Sequence, residues 1–269
     1  MQKNTTDYIA KLSWDALRDH WKAFVLIPLV PLALMIGIGG GASLGASMFG
    51  FGKSLEAMFA IIQLVYLATV LFFLVYSTAA AQWCSTLFSG GKELDIKGGL
   101  RYGLSRLGGV LGTSILTGLK CMLWFMLLIL PGLYKGLTYS QSIHISQLEK
   151  ISGGDANRLS KVLIREAGIL RTLGNYMALF ALFYCGFIVF YVAAFAVFMP
   201  VVLTSAQNGS PEEAGFGIAL LFIGILFFAF YAGMMAFMMC FGNFQYLVYR
   251  DENKVAFQKA IKNLKSING

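Results

Sequence analysis

The sequence predicts an all-α polytopic membrane helix bundle, with six transmembrane segments arranged as three hairpins, each preceded by a basic interfacial helix. Hydrophobic residues make up 58% of the 269 residues and charged residues only 13%, against about 45–50% and about 25% in an average soluble domain. Several apolar stretches reach the roughly 20 residues that a helix needs to cross the hydrocarbon core. Basic residues cluster between these stretches, as they do in cytoplasmic loops. We expect one integral-membrane domain over residues 1–269.

The six predicted segments follow from apolar length and from the placement of positive charge. If all four basic clusters are cytoplasmic, every one of the 21 basic residues except Lys53, Lys120 and Lys135 lies inside. This requires two crossings between Arg106 and Lys150, and we expect Pro131-Gly132 to form the turn between them. Both termini are then cytoplasmic. The predicted segments are residues 23–44, 57–82, 107–130, 133–148, 177–203 and 214–248.

Amphipathic stretches flank the predicted bundle, which covers residues 23–249. We expect surface helices in residues 1–22, near 95–106 and near 155–171, and a basic amphipathic tail in 250–269. Asp155 is the expected N-cap of the third surface helix. Its apolar line is Ala156, Leu159, Leu163, Ala167 and Leu170, and its basic line, expected to contact lipid headgroups, is Arg158, Lys161 and Arg165.

The net charge of +8 is distributed in clusters and not over one soluble face. We therefore expect anionic lipid headgroups as partners and no nucleic acid. A partner membrane protein or a second copy of the chain remains open. Aromatic rings expected at the inner interface are Trp21, Trp83, Tyr176, Tyr246 and Tyr249.

Lys120 and the fourth segment carry the polar groups that are least expected inside a membrane. Lys120 falls within the third apolar stretch, where an unpaired ammonium costs several kcal/mol. Either it snorkels to the surface, or water, an anionic ligand or a partner satisfies it. Polar residues surround the fourth segment on every side, so that segment should be shielded from lipid. The candidate substrate-binding group is Lys120, Ser140, Gln141 and His144, although a packing role for His144 is the more common one.

No recognisable catalytic constellation, phosphate loop or zinc spacing occurs, so we expect neither an enzyme nor a bound cofactor or metal. A methionine-rich run near Cys240 is interpreted as packing, although such a run can hold Cu(I). Small faces for close helix approach are offered by Gly37, Gly41 and Gly45 and by Gly108 and Gly112.

One run of residues is similar to a bacterial family. The pattern is an apolar span that ends in Leu130-Pro131-Gly132, followed by Lys135, by Tyr139-Ser140, and later by Ser160-Lys161. It resembles the YciC-like uncharacterised integral-membrane proteins, which are related to the membrane domain of some glycerophosphodiester phosphodiesterases. The opening helix at residues 16–22 is also similar, whereas residues 164–168 are only loosely so. The resemblance implies a six-helix inner-membrane fold, and it transfers no catalytic residue.

Two classes of function are compatible with these features. The first is a non-catalytic inner-membrane scaffold or accessory component of an envelope or export system. The second is a translocator that moves a small or lipid-like anionic substrate through a cavity between the third and fourth segments, with Lys120 as the charge that meets it. A shared water-accessible cavity at Lys120 and His144 would favour the translocator.

Overall fold

The computed structural model of the chain describes residues 5–30, 33, 55–207 and 213–268, and these residues contain helices and no strand. A short π-helical segment, Lys22–Leu26, follows the first helix. The α-helices of the described residues are α1 (Thr5–Asp19), α2 (Leu55–Phe88), α3 (Ile96–Leu127), α4 (Ile129–Tyr139), α5 (Ser142–Leu148), α6 (Gly153–Ala167), α7 (Ile169–Gln207), α8 (Glu213–Glu252) and α9 (Lys254–Asn268).

The prediction of a helical membrane bundle is confirmed. Among the described residues, four helices are long and apolar enough to cross a membrane: Gln63–Phe88, Ile96–Leu127, Ile169–Ala196 and Leu226–Glu252. The predicted first segment, residues 23–44, lies mostly outside the described residues, and Gly37, Gly41 and Gly45 lie outside them. The fourth segment is not one continuous helix, because α4 ends at Tyr139 and α5 begins at Ser142.

Helix α3 contains two elements that the sequence predicts as separate. The interfacial helix expected near 95–106 and the third apolar segment form one helix of 32 residues. Asp95 caps its start, since the carboxylate accepts a hydrogen bond from the Gly98 N–H at 2.8 Å. No proline interrupts the ladder before Leu127, so the helix continues from one part into the other.

Two glycines allow α2 and α3 to pack closely, and they are not the predicted pair. A Cβ at Gly103 would lie 2.2 Å from the Val75 carbonyl oxygen, and one at Gly99 would lie 2.2 Å from the Trp83 indole nitrogen. Open space surrounds the Cβ positions of Gly108 and Gly112. The close approach therefore lies nine residues, or about two and a half turns, before the predicted one.

The hairpin between α3 and α4 turns at Leu128, and not at Pro131-Gly132 as predicted. Leu128 alone is extended, with φ −160° and ψ 140°. Pro131 lies in the first turn of α4, where its missing N–H breaks no helical hydrogen bond. Gly132 instead allows close packing, because a Cβ there would lie 2.7 Å from the ring of Phe125.

Helix α6 is amphipathic, as predicted. Its apolar line is buried from Ala156 through Leu163 to Ala167. The predicted N-cap at Asp155 is wrong: the N-cap is Ser152, and the Thr113 hydroxyl accepts a hydrogen bond from the Gly153 N–H at 2.8 Å. The helix ends before Gly168, whose φ of 94° favours glycine, so Leu170 falls outside the buried line and is 80% exposed.

Both terminal helices pack on the bundle. Helix α1 contacts α8 through its buried face at Ile9 and Ala16, and α9 contacts α6 and buries Phe257. The Tyr76 hydroxyl donates to the Phe24 carbonyl oxygen at 2.8 Å, which ties the π-helical segment to α2. Among the rings expected at the interface, Trp83, Tyr246 and Tyr249 are instead core residues, at most 2% exposed.

Candidate functional site: a buried polar layer

The break between α4 and α5 is stabilised by a serine from α6. The Ser160 hydroxyl donates to the Thr138 carbonyl oxygen at 2.8 Å and accepts from the Gln141 N–H at 3.2 Å. Both backbone groups lose helical partners where the helix is interrupted, and leaving either one unpaired in a buried place is costly. Since Ser160 is fully buried, one side chain makes this break possible.

Gln141 joins the break to the ends of α7 and α8. Its amide nitrogen lies 3.4 Å from the Tyr176 hydroxyl and 3.4 Å from the Gln245 side-chain oxygen. Gln245 in turn donates to the Tyr249 hydroxyl at 3.2 Å, and Asn175 donates to the same hydroxyl at 3.0 Å. We call this connected set of buried side chains, together with α5 and Ser160, the polar layer.

His144 lies on α5 and binds α8. Its Nδ1 is 2.9 Å from the Asn243 side-chain oxygen, and its ring stacks on Tyr246 at 6.1 Å between centroids. A Cβ at Gly242 would lie 3.2 Å from Nε2, so a glycine on α8 leaves room for the ring. Desolvation by the packed helices lowers the pKa of His144 to about 4. The ring is therefore neutral at pH 7, and it positions α5 against α8.

The carboxyl end of α5 is held by two residues of α3. Tyr102 donates to the Gln147 carbonyl oxygen at 2.6 Å, and Arg106 donates to the Ser146 carbonyl oxygen at 2.8 Å. These are carbonyl groups that a helix leaves unpaired at its end. Arg106, expected from sequence among surface charges, is half-buried here. Glu149, which directly follows α5, forms an ion pair with Arg250 on α8 at 2.8 Å.

Lys120 is placed apart from this layer. It is half-buried on α3, and its Nζ lies 6.0 Å from the centre of the Tyr139 ring. Lys135 on α4 lies 5.9 Å from the same ring and 5.1 Å from the Trp124 ring. Two ammonium groups thus flank one aromatic ring, a geometry in which each cation interacts with the ring face.

The four predicted site residues do not converge on one point. Ser140 and Gln141 lie at the helix break, His144 is held by Asn243, and Lys120 contacts Tyr139. Arg158, Lys161 and Arg165 lie on the exposed face of α6, as the amphipathic pattern predicts, and Glu166 is exposed beside them. Their expected contact with lipid headgroups stays a prediction.

Sequence reasoning missed the partners on α7 and α8. Asn175, Asn243 and Gln245 are at most 1% exposed, and each binds a side chain of another helix. The available signal was an amide side chain inside an apolar run, which is rare unless it is hydrogen-bonded.

An apolar cavity of about 390 Å³ lies elsewhere, between the π-helical segment, α2 and α8. Phe73 and Tyr76 line one wall, and Tyr231 and Met235 line another. The cavity is therefore not the one expected between the third and fourth segments.

Comparison of the chain with family models, with curated proteins and with solved structures finds no match.

Proposed function

We propose that the chain is a non-catalytic protein of the bacterial inner membrane that acts as a scaffold or accessory component of an envelope or export system. The observation that carries this proposal is the polar layer. Its side chains bind other helices of the same chain, as Gln141, His144 and Ser160 each do. Polar groups used in this way fix the arrangement of helices.

The orientation, the partners and the family belong to the same proposal. The distribution of basic residues supports cytoplasmic termini and contact with anionic headgroups through Arg158, Lys161 and Arg165. A second membrane protein or another copy of the chain is the expected protein partner, with no nucleic acid involved. Membership of the YciC-like family is supported by the sequence resemblance at Tyr139-Ser140 and Ser160-Lys161.

Translocation of a small or lipid-like anionic substrate is the alternative function, and one observation favours it. Within the described part of the chain, the side-chain oxygens of Gln141, Ser142 and Gln147 are buried without a hydrogen-bond partner. Buried polar atoms of this kind normally bind water or a ligand. A hydrated path along α5 would use these oxygens.

The test is a complementation assay in a strain that lacks the protein, after that strain has been screened for envelope defects such as sensitivity to detergents. Ser142→Ala and His144→Gln alter the layer, and Ser105→Ala on the exposed face of α3 is the matched control. The scaffold proposal predicts that complementation is lost only where the thermal midpoint in detergent also falls. A variant with wild-type stability and membrane level that fails to complement would instead support translocation.

A further inference from the structure

The apex of the α3–α4 hairpin is apolar and exposed. From Cys121 to Leu133 the chain contains no charged residue. The five residues 126–130 at the turn are between 65% and 79% exposed. A hairpin that crossed the membrane would place this turn in external water, where an exposed apolar cluster of this size is unfavourable.

The length of α4 limits how far the hairpin reaches. Gln141, just after α4, lies beside Tyr176 on α7 and Gln245 on α8. The turn at Leu128 precedes Gln141 by 13 residues, so it lies at most about 20 Å beyond that level even if α4 runs parallel to α7. Tyr176 is itself about 10 Å from the start of α7 at Ile169. The apex is therefore no more than about 30 Å from that start, whereas the candidate span to Ala196 is about 42 Å long.

Ion pairs mark the side of the membrane from which the hairpin enters. Arg171 binds Glu252 at 2.7 Å and Arg250 binds Glu149 at 2.8 Å, where α7 begins and α8 ends. The apex lies at most about 27 Å beyond Arg171 along the helix axis, and the hydrocarbon core is about 30 Å thick. The turn therefore does not reach the opposite surface.

Lys120 and Lys135 lie at the base of the same hairpin. Both flank Tyr139, about 12 Å from the turn along the helices. At this depth a lysine stem can follow apolar surface and carry its ammonium back to the near headgroups. The phosphates of anionic lipids offer the opposite charge.

We propose that α3 and α4 form a re-entrant hairpin, whose apex lies among the acyl chains of one leaflet while Lys120 and Lys135 contact the phosphates of that leaflet. Naming the leaflet cytoplasmic rests on the orientation proposed above. Of the four described helices that are long and apolar enough to cross, α2, α7 and α8 then span the membrane and Ile96–Leu127 does not. With the span that the sequence predicts at residues 23–44, both termini remain on one side.

The test uses single cysteines in a background in which Cys121 and Cys185, the two cysteines that are not buried, are replaced by alanine. The new sites are Leu128→Cys at the apex, Lys161→Cys on α6 and Asn208→Cys between α7 and α8. An impermeant maleimide is applied to intact cells and to inverted vesicles. We expect Leu128→Cys to be unlabelled from both sides and labelled after detergent is added. Labelling from the outside as efficient as at Asn208→Cys overturns the hairpin.

A depth measurement provides the second readout. A fluorophore at Leu128→Cys, in vesicles of phosphatidylcholine and phosphatidylglycerol, should be quenched most by nitroxides at mid-chain positions. A fluorophore at Lys135→Cys should be quenched most by nitroxides near the headgroup, and equal depth at the two sites contradicts the proposal. If Lys161→Cys is labelled from outside and Asn208→Cys from inside, the proposed orientation of the protein is wrong. The labelling of Leu128→Cys alone decides whether the re-entrant hairpin exists.

Discussion

The polar layer and the apex of the α3–α4 hairpin reverse the pattern of a soluble protein. Gln141 and Ser146 are completely buried, whereas Met126 is 75% exposed and Leu130 is 79% exposed. In a bilayer the solvent is apolar, so polar side chains must find partners inside the protein and apolar side chains can face outward. Specific hydrogen bonds therefore stabilise the polar layer, whereas the apex is stabilised by the acyl chains proposed to surround it. Substitutions should affect the two regions differently.

The largest effect is expected where one side chain satisfies two backbone groups. Ser160→Val leaves the Thr138 carbonyl and the Gln141 N–H unpaired in a fully buried place. We expect a loss of about 2–4 kcal/mol in unfolding free energy, because each orphaned group costs about 1–3 kcal/mol. Thermal unfolding in detergent measures it. The exposed control Ser105→Ala should stay within about 0.5 kcal/mol of the wild type, and an equal effect at both sites would contradict the role of Ser160.

The next effect is a dependence on pH inside the layer. The pKa of His144 is lowered to about 4 in the folded protein by desolvation, and it is about 6.5 in the unfolded chain. The folded state therefore binds fewer protons, so this contribution is fully present above pH 6.5 and is lost as the pH falls towards 4.

The measurement compares the wild type with His144→Gln, which does not titrate. The stability of the wild type relative to the variant should fall by up to about 3 kcal/mol between pH 7 and pH 4. A constant difference over that range would show that the His144 environment does not disfavour its charged form.

A smaller effect is expected when valine replaces one of two glycines of α4, of which one is closely packed and the other has open space around it. Gly132→Val places atoms within 3 Å of Phe125, whereas nothing lies within 4 Å of the Cβ position at Gly136. We expect Gly132→Val to cost about 1–3 kcal/mol through overpacking. Gly136→Val is the matched control, since it adds the same side chain to the same helix. Equal thermal midpoints for the two variants would show that α3 and α4 are not in close contact at Gly132.

The sequence predicted best those features that depend on periodicity alone. The ring of polar residues around 138–147 required burial, and Gln141, Ser142, Ser146 and Gln147 are at most 2% exposed. The apolar line of α6 follows the same logic. Helix ends were predicted less well, because distant residues decide them. The Thr113 hydroxyl accepts a hydrogen bond from the Gly153 N–H at the start of α6, and the Ser160 hydroxyl donates to the Thr138 carbonyl at the α4–α5 break. In both cases the two bonded residues are far apart in the sequence.

The partners on α8 could not be predicted for a related reason. A single amide such as Asn243 in a long apolar run indicates a hydrogen bond, but the sequence does not show with which helix. The turn at Leu128 has no local signal, since leucine favours helix and Pro131-Gly132 is the stronger turn pattern. Packing between Gly132 and Phe125 selects the observed position.

Lys120 tests the central claim, that the polar residues of this protein maintain its structure and do not bind a substrate. Its ammonium lies beside the Tyr139 ring and makes no hydrogen bond to His144 or Gln141. The measurement is the thermal midpoint of Lys120→Met in detergent, taken together with its ability to complement the deletion strain, with Lys120→Arg as the charge-preserving control. We predict that both variants are functional and close to wild type in stability. A Lys120→Met protein that is folded and inserted but fails to complement, while Lys120→Arg retains part of the activity, would contradict the scaffold and favour translocation of an anion.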